Sequence, residues 1–380
     1  MLNMIYFDNA ATGFKKPDEV INATINTIKY LSVNAGRSSH ALAAFAEEQI
    51  YQTRKKVANF FNAEKIERVI FTKNCTEALN VAINGTLKRG GNVITSVFEH
   101  NSVLRPLYSL EARGLITLTI IKPSRGKIIL KEDIERAITD KTYLVCLTAV
   151  SNVTGEINDY ESIGAFLKQK NILFLVDGAQ GAGHVNFDLK KQNIDLFCFA
   201  GHKGLDAIQG VGCLIFNQNT QVKPLLFGGS GSETFAKRPS GYPELLECGT
   251  ANLPAILSLK EAVGYTQLNL EKKQKYLIQL TAKLIDELKK IKGVTLYSEQ
   301  SPSGIVSFGY KEFFSQEIAG ILSQKYDIAV RGGFHCAPLC HKFLNTADNG
   351  LIRVSFSQYN TVEEISRFVC AIQSIDEYLF

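Results

Sequence analysis

Apolar residues in this chain gather in short continuous runs. Arg68-Val-Ile-Phe71, Asn92-Val-Ile-Thr95, Ile116-Thr-Leu-Thr-Ile-Ile121, Tyr143-Leu-Val-Cys-Leu147, Ile172-Leu-Phe-Leu-Val176, Leu196-Phe-Cys-Phe199 and Gly212-Cys-Leu-Ile-Phe216 recur between helix-like stretches. Strands that are apolar on both faces and alternate with helices predict a mostly parallel, seven-stranded sheet covered on both sides. This α/β unit is expected over about residues 15–255. The Gly-, Ser- and Pro-rich stretch from Gly228 to Pro243 reads as a long loop. Pro254 then opens a long Lys-, Leu- and Glu-rich helix, about 255–292, that bridges to a second unit.

That second unit, about residues 1–14 plus 256–380, has fewer strands, expected at Val294–Tyr297, Ile305–Phe308, Ile328–Arg331 and Leu351–Ser355. Its last helix is signalled by a capping box of Thr361 and Glu364. Val362, Ile365, Phe368, Ile372, Ile375 and Leu379 then follow at helical spacing.

Composition excludes several function classes. The 380 residues are 45% apolar and 21% charged with net charge +5, an ordinary globular balance. No Lys/Arg block suggests a nucleic-acid arm, and pairs such as Lys55-Lys56 and Lys289-Lys290 fall in helix-like stretches as solvated faces. The first residues lack the pattern of a secretion signal, and no apolar run is long enough to cross a bilayer. Eight scattered cysteines, several in strand-like runs, fit reduced thiols in a cytosol better than a disulfide framework.

Two segments carry the most chemistry: Asp177-Gly-Ala-Gln180 and Ala200-Gly-His-Lys203, each directly after an expected strand. Ligands of open parallel sheets sit at the carboxyl ends of strands. A lysine amine there can form a Schiff base with a carbonyl cofactor, and an aspartate can pair with the pyridinium nitrogen of pyridoxal phosphate (PLP). Other candidates also end strands. Asn74-Cys75-Thr76 opens a helix after the first run, where free amides and a hydroxyl suit a phosphate, or where Asn74 or Thr76 is simply a cap. His100 could stack on a planar cofactor and move protons, or pack in the core. Asn152 could bind a ring oxygen or a substrate carboxylate, or serve the turn before Gly155. Cys336, beside His335 in a Gly-rich loop, is a candidate nucleophile, because nearby positive charge favours a thiolate. Arg353 in an apolar strand needs an anion, either a structural carboxylate or that of an amino-acid substrate. Cys336, Cys340, His335 and His341 lack a second ligand pair at zinc-finger spacing, so no metal is expected.

Assembled in order, these motifs resemble the class V aminotransferase family of fold-type I PLP enzymes, and within it the cysteine desulfurase and selenocysteine lyase group. The resemblance rests on Phe7-Asp-Asn-Ala-Ala-Thr12, Asn34-Ala-Gly-Arg37 with His40, Thr76-Glu77, Glu99-His-Asn101, Ser151-Asn-Val153, Asp177-Gly-Ala-Gln180, Gly201-His-Lys203, Gly249-Thr250, Arg353 and Tyr359-Asn-Thr361. It implies that Lys203 forms the Schiff base, Asp177 pairs with the pyridine nitrogen, Gln180 meets the phenolic oxygen, and His100 stacks on the ring and shuttles protons. The phosphate end would fall to Cys75, Thr76 and His202, joined by Thr250 from the second subunit of a homodimer. Asn152, Arg353 and Arg37 would bind the substrate, and Cys336 would carry sulfur as a persulfide. Three positions depart from the family pattern: Ala200 in place of a serine, Phe334 in place of the first histidine before Cys336, and Gly36 in place of a histidine.

The implied activity is PLP-dependent conversion of L-cysteine to L-alanine, with sulfur passed to Cys336 and on to a sulfur-acceptor protein. A selenocysteine lyase or another C–S lyase of the same family is the alternative, and a non-catalytic sulfur carrier on the same fold is a further one.

Overall fold

A computed structural model describes residues 4–36, 38–231 and 233–378. Thirteen strands form three sheets: β1 (Ile5–Tyr6), β2 (Val69–Thr72), β3 (Gly91–Ser96), β4 (Ile116–Ile121), β5 (Thr142–Thr148), β6 (Leu173–Asp177), β7 (Leu196–Ala200), β8 (Gly212–Phe216), β9 (Val294–Leu296), β10 (Ile305–Tyr310), β11 (Ile328–Ala329), β12 (Arg331–Gly333) and β13 (Leu351–Ser355). The seven runs expected from the sequence are the seven strands of the largest sheet, ordered β2-β8-β7-β6-β5-β3-β4. All are parallel except β8, which runs antiparallel to both neighbours. The segment between β7 and β8 contains Lys203 and is only a short loop, so β8 returns beside β7 as in a hairpin. Gly212 begins that return. A Cβ there would stand 2.5 Å from the Asn74 carbonyl carbon, so only glycine lets the start of helix Cys75–Gly85 lie against β8.

Helices cover both faces of this sheet, and buried Val, Ile, Leu and Phe side chains such as Val145, Phe174, Val176, Phe197 and Phe199 fill the space beneath them. A 36-residue helix, Leu253–Leu288, follows, with Asn252 as N-cap and Pro254 in its first turn. It starts two residues before the expected position and ends four before it, and at about 1.5 Å per residue it is about 54 Å long. Its first half packs in the large core through Ile256, Leu259 and Val263. Its second half packs through Leu277, Leu280 and Leu284 in a separate core with Phe308, Val354 and Phe368. The capping box of Thr361 and Glu364 is present at helix Val362–Gln373.

One expected strand is divided. The run Ile328–Arg331 supplies β11, which pairs with β1, and β12, which pairs with β13 in the antiparallel sheet β12-β13-β10-β9. The chain leaves one sheet and enters the other at Val330, and the second piece leads straight into the loop of Cys336.

Candidate active site

Five parallel strands deliver the site. The ends of β2, β3, β5, β6 and β7 lead to Asn74, His100, Asn152, Asp177 and Lys203, respectively. These residues, with Cys75, Thr76, Ser102, Thr148, Gln180 and His202, line one cavity of about 110 Å³. Alternation along each strand cannot bring them together; the shared strand direction does.

Asp177 is buried, and burial raises its carboxyl above the ordinary value. The Ala179 amide donates to its Oδ1 (2.9 Å), and the Cys75 thiol stands 3.6 Å from the same oxygen. These two groups and the Lys203 charge favour the carboxylate. Burial lowers the Lys203 amine, while Cys75 and Asp177 work against that shift. The result is an amine that gives up its proton more readily than a solvated lysine. The loop after Lys203 is pinned from the long helix, where the buried Lys273 Nζ donates to Gly204 O (2.5 Å) and lies 3.5 Å from Asp206 Oδ2. That carboxylate belongs to a residue in the left-handed region at φ 64°.

His100 Nδ1 accepts from the Ser102 amide (3.0 Å), which leaves the proton of the neutral ring on Nε2. Burial and then the charges of Lys203, Arg331, Arg353 and Arg105 push its pKa down to about 4. Asn74, not Thr76, is the cap of helix Cys75–Gly85, accepting from Glu77 N (2.9 Å). The amides of Cys75 and Thr76 are then left without intrahelical acceptors at the positive end of the helix. Thr76 Oγ1 meets Ser102 Oγ at 2.8 Å, and His202 Nδ1 meets Thr12 Oγ1 at 3.1 Å. The carboxyl of Glu99 lies fully buried next to this layer, its Oε1 accepting from Ser96 Oγ (2.6 Å), and burial pushes it up to about 8.

Arg353 is buried and already has a structural carboxylate: its Nη2 donates to Asp8 Oδ1 (2.9 Å) and its Nη1 to Asn152 O (3.0 Å). Its Nε has no partner. The Asn152 side chain donates to His335 O (2.7 Å), so one of its amide hydrogens holds the cysteine loop. Cys336 is exposed, and Arg331 Nη2 lies 3.6 Å from its sulfur. The cation beside this sulfur is therefore Arg331 and not His335, whose imidazole is buried and held well below its usual pKa. Sequence reasoning overlooked Arg331 because it stands five residues before the cysteine; the chain runs out along β12 and the turn at His335-Cys336, closed by Ala337 N donating to Phe334 O, brings the sulfur back to it. Cys340 is buried, with its thiol pushed up to about 12, so it is shielded from sulfur on Cys336. Thr250 is exposed and lines a different, larger cavity of about 530 Å³ with Lys73, Glu77 and Gly210. Arg37 lies outside the described residues.

A mostly parallel sheet that presents a lysine and an aspartate from adjacent strand ends defines an α/β fold of the aminotransferase kind. A family model described as aminotransferase class-V matches residues 5–368, and the chain belongs to that family. It is 33% identical to a probable cysteine desulfurase of Borreliella burgdorferi, over 98% of this chain and 92% of that protein. It is 32% identical to a probable cysteine desulfurase of Pyrococcus abyssi, over 98% of this chain and 94% of that one. Among solved structures it resembles an apo cysteine desulfurase from Thermococcus onnurineus with TM-score 0.89 and 30% identity, covering 100% of this chain and 96% of that one. A cysteine desulfurase from Escherichia coli in its S-sulfonic acid form aligns with TM-score 0.89 and 26% identity, covering 99% and 96% of the two chains.

The residues present fit PLP. Gln180 Oε1 is buried without a partner beside Asp177, while its Nε2 donates to Ala10 O (2.9 Å). A buried orphan acceptor costs free energy until a hydrogen-bond donor meets it. A carboxylate, an amine, an imidazole and a helix N-terminus around one cavity match a pyridinium nitrogen, an aldehyde, a planar ring and a phosphate.

Proposed function

We propose that this protein is a PLP-dependent cysteine desulfurase that converts L-cysteine to L-alanine and takes up the sulfur on Cys336. The observation that carries this is the exposed Cys336 sulfur with Arg331 Nη2 at 3.6 Å, on a loop that Asn152, a residue of the Lys203 cavity, holds by its carbonyl. Bound PLP supplies a carbonyl for the substrate amine and an electron sink for negative charge at Cα.

The chain's residues divide the remaining work. Lys203 would hold the cofactor carbonyl, and its amine would take the proton from the substrate Cα. Asp177 would hold the pyridine nitrogen protonated, and Gln180 would meet the phenolic oxygen. His100 covers the ring and carries a proton at Nε2. Thr76, His202 and the amides of Cys75 and Thr76 take the phosphate. Arg353 Nε meets the substrate carboxylate, with Asn152 and Arg37 beside it. The Cys336 thiolate attacks the substrate sulfur, so that an S–S bond forms as the Cβ–S bond breaks. The electron pair returns to the carbon skeleton, which takes up protons and leaves as alanine, and Cys336 retains a persulfide.

Thr250, exposed and away from its own Lys203 cavity, would complete the phosphate site of a second copy in a homodimer. No described helix is long and apolar enough to cross a membrane. The eight cysteines are free, as reduced thiols in a cytosol would be, and sulfur held on the exposed Cys336 would pass on to an acceptor protein.

The test is addition of L-cysteine to purified protein carrying its PLP absorbance band. Alanine formed one-for-one with sulfur supports the assignment, and Cys336→Ala should keep the band while losing desulfurase turnover. Full activity of Cys336→Ala on L-cysteine overturns it, and faster turnover of L-selenocysteine by that variant moves the assignment to a lyase.

A further inference from the structure

Cys336 sits in a backbone that needs support. His335 and Cys336 both adopt left-handed conformations, with φ 50° and 57°. Two such residues in succession are unfavourable for side chains other than glycine. Backbone contacts supply part of the support: Asn101 N donates to Cys336 O (2.8 Å), Asn152 Nδ2 donates to His335 O (2.7 Å), and Ala337 N donates to Phe334 O (2.9 Å).

The rest comes from a buried chain of side chains beneath the loop. His335 Nε2 lies 3.2 Å from Arg331 O, His335 Nδ1 lies 3.4 Å from His341 Nε2, and His341 Nδ1 lies 2.8 Å from Thr346 Oγ1. The two imidazoles are inclined by only 24°, with centroids 5.5 Å apart. With facing nitrogens 3.4 Å apart, that separation puts the rings edge to edge and not face to face.

The Arg331 carbonyl sets the protons along the row. Arg331 O can only accept, so His335 carries its proton on Nε2. His335 Nδ1 is then an acceptor in the neutral ring, and His341 must donate to it from Nε2. His341 Nδ1 is left as an acceptor, and the Thr346 hydroxyl donates to it at 2.8 Å in preference to His341 O at 3.4 Å. One direction of hydrogen bonding, Thr346 to His341 to His335 to Arg331 O, satisfies the whole row.

We infer that Thr346, His341 and His335 form a one-directional hydrogen-bond row that positions Cys336 and, through the Arg331 peptide, keeps the Arg331 guanidinium on the cysteine sulfur. The inference deepens the desulfurase assignment, on which its kinetic part rests. These are positioning residues: all three are buried and none lines the Lys203 cavity. A proton added to His335 would go to Nδ1 and make the facing nitrogens both donors; one added to His341 would go to its Nδ1 and turn the Thr346 hydroxyl from donor to acceptor, so either breaks the one-directional row. Burial opposes this, and the Arg353 and Arg331 charges face His335 to the same effect. His341 faces His335, Thr346 and the Phe334 ring, which meets it edge-on at 5.5 Å, and burial pushes its pKa down to about 4.

The test compares His341→Leu, Thr346→Val and His341→Gln with the wild-type holoprotein. The readout is alkylation of Cys336 by iodoacetamide against pH, with the modified peptide identified by mass, because Cys370 is also exposed. His341→Leu and Thr346→Val should slow alkylation about threefold or more at neutral pH, and the deficit should vanish at high pH, where any thiol is ionised. His341→Gln, whose amide donates and accepts at the same places, should stay within about twofold of wild type. On L-cysteine, the first two variants should lower kcat with KM little changed. If Thr346→Val, which keeps the side-chain shape, alkylates like wild type at every pH, the inference is overturned, even should His341→Leu fail to fold. Alkylation does not depend on turnover. A wild-type protein inactive on L-cysteine would overturn the desulfurase assignment and leave this test intact.

Discussion

The Cys75 thiol lies 3.6 Å from Asp177 Oδ1, inside the cavity that also holds Lys203. With the Ala179 amide and the Lys203 charge, both of which act more strongly, it favours ionisation of this buried carboxyl. Cys75→Ala should therefore raise the Asp177 carboxyl further and weaken PLP retention by about two- to tenfold, since one hydrogen bond to a charged group is worth about 1 kcal/mol or somewhat more. Asp177→Ala should remove the ring-nitrogen partner and lower turnover by about 100-fold or more. Equilibrium titration with PLP, followed by its absorbance, measures the first effect and steady-state turnover the second. Wild-type affinity in Cys75→Ala would show that the thiol contributes nothing.

Among the described residues, Lys203 is the single lysine lining the cavity. Borohydride treatment of the wild-type holoprotein should fix the mass of reduced PLP on the peptide containing Lys203. Lys203→Ala should retain PLP without covalent attachment and lose activity by about 1,000-fold or more, as expected when a covalent route is removed. Labelling at any other lysine would move the site.

Asp8 is the structural counter-ion of Arg353, whose side chain is only 1% exposed. Asp8→Asn leaves that guanidinium short of charge in the interior and should cost about 2–4 kcal/mol of stability, near the lower part of the range for a broken buried pair because Asp8 is 22% exposed. Arg353→Lys removes the planar fork and the free Nε, and should raise KM for L-cysteine about tenfold with a smaller change in kcat. Thermal denaturation tests the first variant and initial rates the second.

Glu99 links stability to pH. Its carboxyl is raised from about 4.5 to about 8 by burial, so between these values the folded protein holds a proton that the unfolded chain has released. Its contribution is complete at acid pH and is lost as pH rises from about 4.5 toward 8. Glu99→Gln keeps the shape of the protonated acid and removes the titration. The variant should match the wild type near pH 5 and be more stable by up to a few kcal/mol near pH 8.5, with stability less dependent on pH. Calorimetry at the two pH values checks this, and parallel pH profiles for the two proteins would exclude the linkage.

Continuous apolar runs were sufficient to locate all seven strands of the main sheet, because a strand buried on both faces leaves few polar positions to obscure it. Asp177 and Lys203 stood out for the same reason: each is a charge within four residues of the end of such a run. The short runs were less legible. Ile328–Arg331 looks like one strand, yet it contributes to two sheets, since partner choice for a two-residue strand is set by neighbours distant in sequence. The reversal of β8 was also hidden, because an apolar run carries no direction.

Local order in the sequence determined the strands, the cap at Thr361, and the kinds of group that reach the strand ends. Tertiary structure alone decided their pairing. It joined Asp8 to Arg353 across 345 positions, brought Asn152 to the His335 carbonyl across 183, and turned Arg331 and not His335 toward the Cys336 sulfur. Hydrophobic patterning depends on the period of a single element, whereas the partners of a buried charge depend on which elements meet, and that is fixed only when the whole core has packed.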